Sequence, residues 1–77
     1  MYNINDFNIR NDSGELLDLS GNIVSQLEAN MYHATDSDGF FVCSYYWADD
    51  EGGLVYSHDN TPKAKFITEQ ILAAILN

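Results

Sequence analysis

The sequence predicts an α+β fold: an antiparallel β-sheet of about four strands, in ββαββα order, with two helices packed on one face. Three observations predict it. The apolar period switches along the chain between alternate residues and helical spacing. Clusters of Gly, Asn, Asp and Ser at 11–14, 36–39, 49–53 and 58–60 separate the periodic segments. Each half of the chain ends in an apolar stripe at helical spacing that needs a sheet to cover it. A single compact domain over residues 1–77 is expected, because so short a chain seldom builds two cores.

From Asp6 to Arg10, Phe7 and Ile9 alternate with polar neighbours, which is a strand pattern. After the turn at Gly14, Leu17 and Leu19 flank Asp18, which predicts a second strand closing a hairpin. Ser20 is the expected N-cap of a helix from Gly21 to His33. Ile23, Val24, Leu27, Met31 and Ala34 form its apolar stripe. His33 then falls at the helix C-terminus, where a cationic imidazole suits the dipole.

Phe40 to Trp47 is the densest strand pattern, aromatic with Val42 at its centre, and Gly53 to His58 is its hairpin partner. Closing the acidic loop so that Trp47 faces Leu54 also pairs Tyr45 with Tyr56 and Cys43 with His58. Phe40, Val42, Ser44, Tyr46, Val55 and Ser57 then share the opposite face. Several aromatic rings are therefore expected on the face the helices leave open, unless the N-terminal segment with Tyr2 and Ile4 folds over it. Thr61-Pro62 starts the last helix, Thr as cap and Pro at the first helical position. Ile67, Ile71, Ala74 and Ile75 form its stripe, broadened by Phe66 and Leu72.

Charge narrows the function classes. Twelve acids stand against three Lys or Arg, for a net charge of −9. Direct nucleic-acid or anionic-membrane binding is disfavoured, since phosphate affinity comes mainly from Lys and Arg. An acidic disordered tail is equally disfavoured by a 45% hydrophobic and 13% aromatic composition. Cys43 is the only cysteine, so no intrachain disulfide forms. The N-terminus lacks a basic and then apolar leader pattern. The longest mostly apolar run, Ile71 to Leu76, is far below the ~18 residues of a membrane span. A small cytoplasmic protein is the expectation.

Two chemical possibilities are weak. Cys43 opposite His58 would form a thiolate–imidazole pair, but no third residue orients the imidazole. Asp36-Ser37-Asp38-Gly39 begins like a calcium loop, yet Phe41 stands where the loop glycine belongs and the terminal Glu is missing. No cofactor, metal or catalytic residue is expected.

The acids gather in turns around the aromatic hairpin. Lys63 and Lys65 fall in the first turn of the last helix, the end where the dipole disfavours cations. A fixed negative field beside Tyr and Trp suits a protein partner with a basic, nucleic-acid-binding groove. Asp36, Asp38, Asp49, Asp50 and Glu51 would supply charge there, with Tyr45, Tyr46 and Trp47 as anchors.

With those acids and aromatics, the chain resembles the small phage-borne inhibitors of host defence: anti-CRISPR proteins and DNA-mimicking anti-restriction proteins. The likeness is one of size, acidity and layout over the whole chain. It implies inhibition in the host cytoplasm, by occupying the nucleic-acid site of a CRISPR effector or restriction complex or by blocking a conformational step. The alternatives are an immunity protein or antitoxin neutralising a basic toxin, and a small homodimeric interaction module.

Overall fold

The computed structural model describes residues 2–58 and 60–76, His58 by its backbone alone. Its elements are β1 (Asn8–Asn11), α1 (Ile23–Ala29), β2 (Tyr32–Thr35), β3 (Phe41–Ala48), β4 (Gly53–His58) and α2 (Pro62–Leu76). Short 3₁₀ turns occupy Ile4–Asp6 and Asp49–Glu51. The four strands form one sheet in the order β1-β2-β3-β4, antiparallel throughout. The α+β class, the four-stranded antiparallel sheet and the two helices are as the sequence predicts. The order differs: one helix follows the first strand, and three strands follow that helix.

Two local effects explain the difference. Leu17 does return beside β1, its N–H donating to the Ile9 carbonyl at 2.9 Å, and Arg10 forms an isolated bridge with Leu16. The ladder stops there because the Gln26 side chain takes both backbone groups of Asp18. The Asp18 N–H donates to Gln26 Oε1 at 3.0 Å, and Gln26 Nε2 donates to the Asp18 carbonyl at 3.3 Å. Ser20 is likewise engaged, donating to Asp18 Oδ1 through N–H and hydroxyl at 2.9 and 2.7 Å. Asn22 therefore stands at the helix start, without a side-chain cap bond.

The other effect lies at residues 30–35. Asn30 is extended and ends α1, and Tyr32 and Ala34 then alternate as buried residues with His33 and Thr35. The same letters satisfy a helical stripe ending in Met31 and Ala34. Burying the Tyr32 ring on the sheet wins, and Met31 is left exposed. His33 accordingly lies in a strand, between Arg10 and Ser44, and caps no helix.

The β3–β4 register is the expected one, with Trp47 opposite Leu54, Tyr45 opposite Tyr56 and Cys43 opposite His58. The open face holds Ser44, Tyr46, Val55 and Ser57 as expected, but not Val42. A bulge separates Ala34, paired with Cys43, from Thr35, paired with Phe41, so that Val42 is the extra residue. Val42 and Cys43 are consequently both buried, which unbroken alternation forbids. The open face carries Arg10, His33, Ser44, Tyr46, Val55 and Ser57, and Phe41, opposite Thr35 and exposed, stands on it where alternation puts Val42. Tyr2 and Phe7 pack beside Phe66 of α2, each with ring centroids 5.9 Å apart, so the N-terminal segment covers the helix and not that face.

One core lies between the sheet and both helices. Ile9, Tyr32, Ala34, Cys43 and Tyr45 meet Ile23 and Leu27 of α1 and Ala64, Ile67 and Ile71 of α2. The α2 start is as expected: the Ala64 N–H donates to Thr61 Oγ1 at 3.3 Å, with Pro62 first in the helix.

Candidate functional site

The acidic end of the β3–β4 hairpin is built by a single tight turn. Asp49, Asp50 and Glu51 fill the 3₁₀ turn, and Gly52, at φ 85°, closes it by donating its N–H to the Asp49 carbonyl at 3.1 Å. That backbone conformation is costly for any residue with a Cβ, which is why glycine stands there. Trp47 Nε1 donates to Asp49 Oδ1 at 2.7 Å, fixing the indole beside the acids. All three carboxylates are exposed, and Trp47 is half-buried with its ring against Gly53. A rigid aromatic thus adjoins three acids at one end of the sheet.

Asp36 and Asp38 sit at the other end of β3. Its eight residues span about 25 Å at the usual strand rise, so the two acidic turns form separate surfaces. Asp36 is 8% exposed and fully engaged. Its Oδ1 accepts from the Asp38 and Phe40 N–H groups at 3.0 Å each, and its Oδ2 accepts from Lys63 Nζ at 3.1 Å. These bonds hold the β2–β3 turn closed and tie it to α2. Asp38 is exposed. Tyr45 is 1% exposed, inside the core, and offers nothing to a surface. Tyr46 is half-buried on the open face opposite Val55. Of the residues the sequence nominates, the structure brings together Trp47, Asp49, Asp50 and Glu51, with Tyr46 next in the strand.

The Phe40 N–H, followed by the Lys63 ammonium, holds the Asp36 carboxyl below its ordinary value near 3.8. Lys63 is raised above 10.5, chiefly by its hydrogen bond to Asp36. A depressed acid contributes stability above its unfolded pKa and loses it as pH falls through the folded value. A raised base contributes below its unfolded pKa and loses it as pH rises through the folded value. The pair therefore supports the fold in full between about pH 4 and pH 10.5, and its contribution declines beyond that window as pH passes the shifted folded values. Asp36→Asn is expected to lower stability at neutral pH and to flatten the acid limb. Urea midpoints measured from pH 2 to pH 7 check this. An acid limb as steep in the variant as in the wild type would assign it to other carboxylates.

Cys43 is fully buried, and desolvation pushes its thiol up to about 11, against the direction a nucleophile requires. The Thr68 hydroxyl lies beside it without reaching hydrogen-bond geometry, and both Thr68 Oγ1 and Tyr45 OH lack a partner in the core. The His58 side chain, which the Cys43 pairing would need, lies outside the described residues, as does Asp59 of the fourth turn. Among the described residues no group of three His, Cys, Asp or Glu could hold a metal ion, and no helix is long and apolar enough to cross a membrane.

Periodicity does not reveal the concave surfaces, because they join distant segments. A groove of about 810 Å³ runs between the α1 start and the end of α2, with Ile4, Leu19, Val24, Ala74 and Ile75 on its walls and Glu28 among its polar residues. A smaller one of about 350 Å³ lies against the Asp36–Lys63 pair, bounded by Tyr2, Phe41 and Pro62.

Eleven of the twelve acids fall in described positions, and ten of those are exposed, Asp36 being the exception. The cations offset little of this. Arg10 Nη1 donates to the Gly14 carbonyl at 2.6 Å, and Lys63 makes the one ion pair among the described residues. Comparison of the chain with known family models, curated proteins and solved structures found no match.

Proposed function

We propose that this protein is a non-enzymatic acidic inhibitor that binds a basic, nucleic-acid-handling protein and occupies its nucleic-acid site. The observation that carries the reading is the charge surface: ten exposed carboxylates, with a single ion pair among the described residues. An unneutralised field of that kind draws in a basic groove and disfavours other partners. Trp47 is the contact anchor, held beside Asp49, Asp50 and Glu51 by its indole bond. Tyr46 precedes it in the strand on the open face, and Asp38 adds to the field from the far end of β3. Carboxylates on this scaffold take positions that phosphates of the displaced nucleic acid otherwise fill. The size and acidity in which the chain resembles phage anti-CRISPR and anti-restriction proteins favour a defence complex as the target.

The test begins with capture from the native host on the immobilised protein, followed by mass spectrometry of what is retained. A basic nucleic-acid-binding protein, eluted by moderate salt, is the expected result. Retention of an acidic or uncharged partner, indifferent to salt, would overturn the reading.

A further inference from the structure

The chain treats the two edges of its sheet differently. The outer edge of β1 is covered by the returning segment: the Asn11 N–H donates to the Glu15 carbonyl at 3.0 Å, and Leu17 reaches back to Ile9. β4, at the other end, has β3 on one side and, among the described residues, no strand on its outer side. Its six residues include no Lys, Arg, Asp, Glu or Pro, and its pairing with β3 runs without a bulge. Charges, prolines and bulges are the devices that keep an edge from pairing with another chain, and β4 has none of them. We propose that β4 pairs antiparallel with β4 of a second copy, giving a two-fold dimer with one continuous eight-stranded sheet.

The ends of the strand specify both the occupant and its direction. β4 starts at the Asp49–Glu51 turn and leads, at its other end, into α2, whose first turn holds Lys63 and Lys65. Antiparallel self-pairing sets the acids of each copy beside the α2 start of the other. Parallel pairing would set acids against acids. Lys65 is exposed and has no ion-pair partner among the described residues. Lys63 is held by Asp36 of its own copy, and the partner copy's acids give Lys65 a reason to stand at the helix end the dipole disfavours. Repulsion between the other acids is screened beyond ~8 Å at physiological salt.

Symmetry narrows the register to two. A two-fold axis perpendicular to the sheet keeps every residue on its own face, so only residues of the same face can oppose one another. A residue at the centre of β4 must then meet its own copy. Val55 on the open face and Tyr56 on the helix side are the two candidates. All four helices of the dimer lie on the same side. The bonds of the pairing are backbone groups of an edge, while the Asp49–Glu51 turn beside the seam is the one proposed to meet a basic partner; the oligomeric state is measured without that partner.

Sedimentation equilibrium of the full chain, from low micromolar to submillimolar concentration, tests the pairing. The mass is expected to rise to twice the 8.7 kDa of the chain. Val55→Lys and, separately, Ser57→Lys are expected to return it to the monomer with unchanged circular dichroism. On mild oxidation, Val55→Cys or Tyr56→Cys is expected to cross-link as a dimer, while the wild type, with Cys43 buried, does not. A wild type that stays monomeric throughout would overturn the proposal. So would a dimer that survives both lysine variants, or one that neither cysteine captures.

Discussion

Leu27→Ala is expected to reduce the unfolding free energy by about 3–4 kcal/mol and the thermal midpoint by roughly 15–25 °C. α1 has seven residues and no side-chain cap bond, so little in its own sequence sustains it. Ile23 and Leu27 are its buried anchors, and Leu27 is 1% exposed beneath the helix. Truncation leaves a cavity walled by the sheet and α2, neither of which can close in without giving up contacts elsewhere. A domain of this length has a total stability of only about 4–12 kcal/mol, so the variant loses a large share of it. Glu28→Ala, on the exposed side of the same helix, is the control and is expected to change stability by less than about 0.5 kcal/mol. Calorimetry or urea denaturation measures both. A cost for Leu27→Ala as small as that of the control would mean that α1 does not seat where the structure places it.

Reversing Asp49, Asp50 and Glu51 to Lys is expected to slow association with the captured partner about 100-fold at low salt and only several-fold at high salt. Each reversal adds two positive charges, so the chain moves from −9 to −3. The three sites are exposed and lie in one turn, so the fold should tolerate the change. Asp49 also accepts the Trp47 indole, and its replacement frees that ring. The double reversal of Asp50 and Glu51 leaves the indole bond in place and separates the two effects. It is expected to retain most of the decline in rate, because the field and not the ring orientation governs encounter. Stopped-flow rates across a salt series measure this. Equal rates for wild type and variant at low salt would remove the charge argument.

The second half of the fold was the more legible in the sequence. Thr61-Pro62 marks a helix start by chemistry that serves no other purpose there, and the glycines of the 49–53 turn, with the aromatic run before them, define the β3–β4 register. The first half holds competing signals. Tyr32 and Ala34 fit both periods, and only their burial on the sheet decides for the strand. The Gln26 amide that takes over the backbone of Asp18 leaves no trace in periodicity, since it joins residues eight apart through a side chain. The bulge at Val42 is also silent in sequence, and it buries Val42 and turns Phe41 to the open face in its place. For the candidate site, the acids and Trp47 could be named from sequence because turn residues stay exposed in almost any fold. Tyr45 and Asp36 could not be sorted that way. Which face of β3 meets the helices decides the first, and a lysine 27 residues further along the chain completes the second.

On the proposed function, these carboxylates occupy the place of nucleic acid on a basic partner. Fluorescence anisotropy of a labelled oligonucleotide bound to the captured partner tests it most directly. Titration with this protein is expected to release the oligonucleotide, with the Asp49, Asp50 and Glu51 reversal far less effective. Binding of this protein to the partner with the oligonucleotide still held at unchanged affinity would contradict it.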